Sequence, residues 1–160
     1  MARVYVSIGS NLEREHNVRS ALAALARRFG ALEQSRVYET ESVGFKGLAF
    51  YNLVVSFETR LDPQAVVAVL REIEAEHGRE RTAKRFGDRT LDLDLLLYAD
   101  RVLNTPDLKL PREEILKYAF VLGPLAEIAG EELHPVEGRT YQALWDAFDS
   151  SSQRMTPVRF

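Results

Sequence analysis

The sequence predicts an α+β fold with a ferredoxin-like βαββαβ core, a mostly antiparallel sheet, and extra C-terminal helices that cover the other face of the sheet. The first observation behind this prediction is the order of the elements, because strand-like alternation and helical spacing of apolar residues succeed one another in that pattern. The second is length, since 160 residues suffice for one domain with its own core. One domain over residues 1–160, built as three αβα layers, is therefore predicted.

The core elements follow from local patterns. The four core strands are predicted at residues 3–8, 31–38, 50–60 and 91–98. The first helix starts near 11–15 and ends at Gly30. The second helix begins at Asp62-Pro63, where the aspartate suits the N-cap and the proline suits the first helical position, and it ends at Gly78.

The C-terminal third is predicted to add smaller elements. These are short strands within 100–110, a helical turn at 111–116, and helices at 120–129 and 141–148. Thr140 is a plausible N-cap for the last helix. Residues 150–160 begin with a run of serines, which predicts a loose tail without a function.

The segment that joins the second helix to the fourth strand is strongly basic. Five of the eleven residues from 79 to 89 are basic and two are acidic, so this loop carries +3, whereas the remainder of the chain carries −6. Positive charge is concentrated where an anionic ligand could use it. This loop and the loop at 39–49 are both longer than usual, and long loops often close over substrates, so two substrates are predicted.

Two carboxylates come directly after the basic loop. Alternation along the fourth strand places Asp92 and Asp94 on one face and the leucines on the other: Leu91, Leu93, Leu95 and Leu97. Like charges held that close repel each other unless a cation lies between them. Mg²⁺ is the natural candidate, because it takes one or two carboxylates together with substrate phosphates. The sequence therefore predicts a metal and nucleotide-phosphate site, although a solvated loop and a water-facing strand would also give these residues.

Composition excludes several other classes of function. The chain has no cysteine, which excludes disulfides and thiolate nucleophiles, and its three histidines lack ligand spacing. A net charge of −3 argues against general nucleic-acid binding. No apolar run approaches the length of a membrane span, and no signal peptide precedes the first strand, so a cytoplasmic location is expected.

Several strings in the chain resemble a known family. They are Gly9-Ser10-Asn11, Phe50-Tyr51-Asn52, Gly78-Arg79 and the run Gly87-Asp88-Arg89-Thr90-Leu91-Asp92-Leu93-Asp94. The family is that of the 6-hydroxymethyl-7,8-dihydropterin pyrophosphokinases, folate-pathway enzymes that move the terminal diphosphate of ATP onto a pterin alcohol. The resemblance covers residues 3–147 and implies ATP and this pterin as substrates, AMP as the leaving group, and a monomer.

The resemblance also implies roles for the charged residues. Asp92 and Asp94 would hold two Mg²⁺ ions per ATP, and Asp94 is the next candidate general base if the metal does not activate the hydroxyl. The implied catalytic arginines are Arg79 and Arg89, which hold the transferring diphosphate, and Arg81 and Arg85, which belong to a closing loop. The other residues implied to lie around ATP are Val67, Glu74, Leu95 and Arg112.

For the pterin, the resemblance implies a pocket that stacks the bicyclic ring between aromatic side chains and reads its edge with an amide. The implied residues are Thr40, Val43, Phe50, Asn52, Phe86 and Phe120, with Phe86 as a lid. The chain departs from the family pattern at several positions. Arg112-Glu113 stands where the family often has His-Tyr, Tyr118 stands where it has Arg, and Phe86 stands where Trp is common.

Two alternatives stay open at the level of the sequence. A ferredoxin-like module that binds RNA or a regulatory ligand would use the basic loop and Phe86 but would give no reason for Asp92 and Asp94. A different Mg²⁺-dependent, ATP-using transferase would keep the metal pair and change the acceptor. Magnesium dependence separates the first alternative from the pyrophosphokinase, and acceptor specificity separates the second.

Overall fold

The computed structural model of the chain describes residues 1–42, 47–78 and 90–160. The strands are β1 (Ala2–Ser10), β2 (Glu33–Gln34), β3 (Val37–Thr40), β4 (Phe50–Thr59), β5 (Asp92–Tyr98), β6 (Leu103–Asn104), β7 (Lys109–Leu110) and β8 (Met155–Val158). The helices are α1 (Arg14–Phe29), α2 (Pro63–Glu76), α3 (Ala119–Ala129) and α4 (Tyr141–Ala147), with a 3-10 turn at Glu113–Leu116. None of the helices in these ranges is long and apolar enough to cross a membrane.

The main sheet has the strand order β5-β1-β4-β3-β8, and β2 pairs with β4 beside β3. The pairings in this sheet are antiparallel. The four strands of the predicted core are thus neighbours in one sheet, with β5 at one edge. The predicted ferredoxin-like core and its mostly antiparallel sheet are confirmed.

Apolar residues on the two faces of the sheet form two separate cores. Val4, Val6 and Ile8 of β1 face a cluster that includes the buried side chains of α1 and α2. Tyr5 of β1 and Val54 of β4 face a second cluster, which α3 and α4 cover. The alternation of side chains along each strand requires this division. The predicted three-layer αβα arrangement is therefore confirmed.

The predicted helix boundaries agree with the structure where a side chain or a glycine fixes them. Asp62 accepts a hydrogen bond from Ala65 N at 2.8 Å, and Thr140 accepts one from Ala143 N at 3.1 Å. Each of these bonds satisfies one of the amide groups that a helix start leaves without a partner. Gly78 follows α2 with a φ of 77°, a conformation that glycine adopts without strain.

The second predicted strand, 31–38, is wrong as a single element. It breaks at Ser35, whose N–H donates to Val54 O at 2.9 Å while its hydroxyl oxygen accepts from Val54 N at 3.0 Å. The side chain thus takes the place of a main-chain acceptor and interrupts the regular ladder. Pairing with β4 resumes beyond the break and continues to Thr40, two residues past the predicted end.

The prediction for Leu97 is also wrong, because β5 contains a bulge. Tyr5 pairs with Leu97 and the next residue, Val6, pairs with Leu95, so Leu96 is an extra residue on β5. Beyond the bulge, Leu97 packs in the cluster beneath α3 and α4, whereas Leu95 packs in the cluster beneath α1 and α2. The two aspartates precede the bulge and keep the common face that alternation predicts.

The C-terminal residues are not the loose tail that the serine run predicts. Met155–Val158 forms the edge strand β8, which pairs with β3 from Thr40 to Val37. Val158 and Phe160 pack against the cluster beneath α1 and α2. The serines form only a turn before this strand, and the apolar residues that follow them determine where the chain end lies.

Candidate active site

A carboxylate and an amide flank a glycine across three strands of the sheet. Gly9 of β1 pairs with Asp92 of β5 on one side and with Asn52 of β4 on the other. Directly opposite residues on neighbouring strands share a face, and neighbouring strands lie about 4.8 Å apart, so about 10 Å separates the backbones of Asp92 and Asn52. Because Gly9 has no side chain, the Asn52 amide can lie close against the backbone of β1, between a predicted metal ligand and the predicted pterin pocket.

Asp94 lies two residues after Asp92 on β5, on the same face of the sheet, and has two arginines nearby. Its Oδ1 is 3.6 Å from Nη2 of Arg112 and 3.7 Å from Nη2 of Arg71. The Asp94 side chain is 17% exposed, so these charges interact in a partly desolvated setting where Coulomb energies are larger than in water. The two arginines offset the repulsion between the neighbouring carboxylates.

The structure brings Arg112 into the group of carboxylates around Asp94. Its backbone N–H donates to Leu96 O at 3.0 Å, and its side chain forms an ion pair with Glu114. Burial lowers the pKa of Arg112, but the carboxylates of Asp94, Glu114 and Asp92 outweigh burial and the net pKa is raised. Arg112 is therefore a permanent positive charge beside the two aspartates.

Glu74 and Arg71 of α2 hold the free edge of β5 between the aspartates. Glu74 Oε2 accepts a hydrogen bond from Leu93 N at 2.8 Å, and Arg71 Nη1 donates to Leu93 O at 2.9 Å. Arg71 Nη1 also donates to Glu74 Oε1 at 2.7 Å. Together the two side chains do what a neighbouring strand would do for Leu93, because they satisfy both of its main-chain groups. This contact fixes the backbone from which Asp92 and Asp94 project.

Replacement of Glu74 by alanine is expected to destabilise the protein by about 3 kcal/mol, because breaking a buried ion pair leaves its partner uncompensated. Glu74 is 1% exposed, and the change also leaves Leu93 N without its acceptor. The free energy of unfolding in urea measures the loss. Glu72→Ala is the matched control, since Glu72 pairs with Arg28 on the exposed side of the same helix and should contribute much less. Equal losses of unfolding free energy in both variants would contradict a special contribution of the Glu74 contact to stability.

The amide of Asn52 is held in one orientation. Its Nδ2 donates to Thr40 Oγ1 at 2.6 Å, and both side chains are buried. Its Oδ1 lies over Gly9, because a Cβ added at Gly9 would be 2.9 Å from this oxygen and 3.8 Å from Phe50 Cδ2. The structure thus brings together three of the predicted pterin residues, Thr40, Asn52 and Phe50, around the glycine.

Phe120 lies at the start of α3, on the face of the sheet that carries Asn52. Its ring stacks on that of Tyr118, with the centroids 5.0 Å apart and the planes 19° apart. Both rings are half-buried, which suits stacking against a further flat ring. Tyr118 thus extends the aromatic surface of Phe120.

The Gly9-Ser10-Asn11 string fixes the ends of both long loops. Ser10 Oγ donates to Thr90 O at 2.6 Å, directly before β5, and Asn11 Nδ2 donates to Leu48 O at 3.0 Å, directly before β4. Both side chains are buried, so the turn after β1 is a rigid support. The polar residues of this string therefore have a structural role at the site, in addition to the close approach that Gly9 permits.

The remaining predicted residues fall into two groups. Val67 and Leu95 belong to the core beneath α1 and α2, so a ligand at the β5 edge would meet Leu95 through its main chain rather than its buried side chain. The other six lie outside the described residues: Val43, Arg79, Arg81, Arg85, Phe86 and Arg89. Arg71 was not predicted, because a single arginine on an amphipathic helix resembles an ordinary surface residue until its contact with β5 is known.

The fold and the site define a class of protein: an α+β enzyme in which an arginine-flanked pair of aspartates shares one sheet face with a buried amide and half-buried aromatic rings. The chain belongs to the 7,8-dihydro-6-hydroxymethylpterin-pyrophosphokinase (HPPK) family, which matches residues 5–130. The predicted activity is confirmed at this level: the chain is a pterin pyrophosphokinase, a transferase of folate biosynthesis.

Relatives that this chain matches over most of their length support the assignment. A 2-amino-4-hydroxy-6-hydroxymethyldihydropteridine pyrophosphokinase of Aquifex aeolicus is 36% identical over 138 residues, which is 85% of this chain and 86% of the relative. The protein with the same description from Pseudomonas aeruginosa is 39% identical over 141 residues, 86% of both chains. The chain matches only 18% of the length of the Pneumocystis carinii folic acid synthesis protein fol1, at 36% identity.

Solved structures agree on the fold. The Plasmodium falciparum HPPK-DHPS with pterin and p-hydroxybenzoate has a TM-score of 0.71 and 15% sequence identity, and the match covers 94% of this chain and 43% of that chain. At this identity the likeness concerns the fold alone. It confirms the α+β class that the order of strands and helices predicts.

Proposed function

We propose that the chain transfers the terminal diphosphate of ATP to the hydroxymethyl group of 6-hydroxymethyl-7,8-dihydropterin in a Mg²⁺-dependent reaction, at the end of the sheet where β1, β4 and β5 meet. The observation that carries the location is the row in which Asp92 and Asn52 flank Gly9. In this row Asp92 would bind the metal that holds the phosphates, and Asn52 would bind the edge of the pterin.

The chemistry of the two aspartates fits magnesium. They offer hard carboxylate oxygens from alternate positions of one strand, and Mg²⁺ prefers one or two carboxylates completed by phosphates and water. Among the described residues no group of three or more His, Cys, Asp and Glu side chains is arranged to hold a metal ion alone, so ATP itself would complete the shell. Two Mg²⁺ ions, when bound, would neutralise charge on the triphosphate.

The chain's own residues would then position the reactants. Arg112, beside Asp94, would face phosphate oxygens as a fixed charge, and the predicted arginines of the 79–89 segment would add to it. The hydroxymethyl oxygen would form a bond to the β phosphorus while the bond from that phosphorus to the oxygen bridging the α phosphorus breaks, and AMP would leave. Such transfers depend on alignment and charge compensation more than on covalent work by the protein.

On the acceptor side, Asn52 would read the edge of the pterin. Its Nδ2 donates to Thr40 Oγ1, which holds Oδ1 over Gly9, where this oxygen would accept hydrogen bonds from pterin N–H groups. Phe50 and Phe120 would stack on the ring faces. Because the amide is fixed before substrate arrives, little ordering is left for the binding step.

The test is an incubation of the purified protein with ATP, Mg²⁺ and 6-hydroxymethyl-7,8-dihydropterin, with the nucleotide and pterin products separated by chromatography. We expect AMP and the pterin diphosphate in equal amounts, and no turnover in the presence of EDTA. ADP as the product would contradict diphosphate transfer, and full activity in EDTA would contradict the metal assignment.

Three further points stay predictions. We expect a monomer in the cytoplasm that has no affinity for nucleic acid. The net charge of −3 is consistent with the last of these. Size-exclusion chromatography with light scattering tests whether the protein is a monomer, and titration with single-stranded RNA tests whether it binds nucleic acid.

A further inference from the structure

We propose that the C-terminal segment Gln153–Val158 positions the two walls of the pterin pocket, the end of β3 that carries Thr40 and the start of α3 that carries Phe120. This inference rests on the proposed function. The segment lies beyond residues 5–130, which the family model matches. Three separate contacts support it.

The first contact caps α3. The residue before this helix, Tyr118, makes no capping hydrogen bond with its side chain. Instead Gln153 Oε1 accepts from Ala119 N at 2.8 Å, and Gln153 Nε2 donates to Lys117 O at 3.1 Å. The amide side chain thus bridges the chain on both sides of Tyr118 and satisfies the first helical N–H. Phe120 is the next residue, so its backbone position depends directly on this cap.

The second contact is the pairing of β8 with β3. Met155 is opposite Thr40, and Pro157 is opposite Tyr38. Without β8, β3 would be an edge strand of only four residues, and the strand end next to the long loop would fray. Thr40 Oγ1 holds the Asn52 amide at 2.6 Å, so movement of this strand end would move the group that reads the pterin.

The third contact joins the two walls through one residue. The methyl group of Met155 lies against α3 at Gly123, because a Cβ added there would be 2.7 Å from Met155 Cε and 3.1 Å from Trp145 Cη2. Gly123 is three residues after Phe120 and so lies on the same side of the helix. Met155 therefore pairs with Thr40 through its backbone and packs on the Phe120 helix through its side chain.

The far end of the segment is anchored on the opposite side of the sheet. The ring of Phe160 meets Tyr51 edge to face, with centroids 6.1 Å apart, and Arg19 lies 4.2 Å above the Phe160 ring. These contacts keep β8 in register, since an aromatic side chain packed in this way resists sliding of the strand.

The test compares Gln153→Ala with Ser152→Ala, an exposed neighbour, by steady-state kinetics and by hydrogen exchange. We expect Gln153→Ala to raise KM for the pterin about fivefold, the effect of a lost cap, while KM for ATP and kcat change by less than about twofold. Amide exchange at residues 119–122 should accelerate. Ser152→Ala should match the wild type in all of these.

Two further variants make the assignment specific. Gln153→Glu retains the acceptor for Ala119 N at a helix start that favours negative charge but loses the donor to Lys117 O, so it should restore the pterin KM only in part. Met155→Ala, which keeps the cap, should also raise the pterin KM selectively. An unchanged pterin KM in Gln153→Ala, or equal rises in KM for both substrates, would each overturn the proposal.

Failure of the proposed function gives a different result. In that case the wild type itself would not turn over the pterin, whereas failure of the positioning role leaves wild-type turnover intact and the Gln153→Ala kinetics unaltered. Hydrogen exchange reports on the α3 start without any substrate. Unchanged exchange in Gln153→Ala would overturn the positioning role whatever the reaction.

Discussion

Asp94→Asn is expected to reduce kcat at least about a thousandfold, equivalent to about 4 kcal/mol of transition-state stabilisation. The substitution keeps the size of the side chain and removes the negative charge that the proposed metal site requires. An amide offers one weak oxygen ligand in place of a carboxylate, so Mg²⁺ affinity and the alignment of the diphosphate should both be lost. Quench-flow measurement of AMP release in a single turnover tests this prediction.

The control for this variant separates the metal role from the ion pairs of Asp94. Loss of its charge also removes one of the two ion pairs that Arg71 and Arg112 each make, which lowers stability to some extent. Activity should therefore be compared at equal folded fraction, measured by circular dichroism in the same buffer. Asp100→Asn, in the exposed turn after β5, is the matched variant and should keep wild-type turnover. Turnover by Asp94→Asn at the wild-type rate would contradict the metal assignment.

Isothermal titration with Mg²⁺ and ATP gives a second readout of the same residue. The wild type should bind ATP more tightly in the presence of Mg²⁺, and Asp94→Asn should lose most of that difference. If the aspartate acted only as a general base, the variant would keep Mg²⁺-dependent ATP binding and lose only turnover. The two measurements together distinguish a metal ligand from the alternative role that the sequence leaves open.

The parts of the fold that the sequence predicts well are those that local patterns determine. Helix starts at Asp62 and Thr140 depend on a side chain and an amide three residues apart, and both occur as predicted. The break at Ser35 and the bulge at Leu96 depend instead on the partner strand, which no local pattern contains. The same holds for β8, because its partner β3 lies more than a hundred residues earlier in the chain.

The residues of the candidate site also fall into those that local patterns predict and those that depend on long-range pairing. Asp92 and Asp94 are predictable because they are neighbours on one strand and follow a basic loop. The position of Asn52 beside them follows only once β1 is known to lie between β4 and β5. Arg71 could not be predicted, since its function as an edge partner of Leu93 depends on how α2 packs against the sheet. Sequence therefore identifies the chemistry, and long-range pairing identifies the residues that hold it in place.

Gly9→Ala is expected to raise KM for the pterin by about tenfold, equivalent to about 1.4 kcal/mol, and to leave ATP binding nearly unchanged. The added Cβ would lie 2.9 Å from Asn52 Oδ1, closer than the two atoms tolerate. The amide cannot simply rotate away, because its Nδ2 is bonded to Thr40 Oγ1 at 2.6 Å in a buried position.

Two comparisons make this prediction specific to the amide. Gly138→Ala places a side chain at a φ of 68° far from the site, so it should cost stability while the pterin KM stays at the wild-type value. If Gly9→Ala acts through Asn52, then Asn52→Ala and the double variant should show similar pterin KM values. In the double variant the amide that the Gly9→Ala methyl group would displace is already absent. Additive effects of the two substitutions would instead mean that Gly9 contacts the pterin independently of Asn52. The Gly9 backbone and the Asn52 amide would then each bind the pterin.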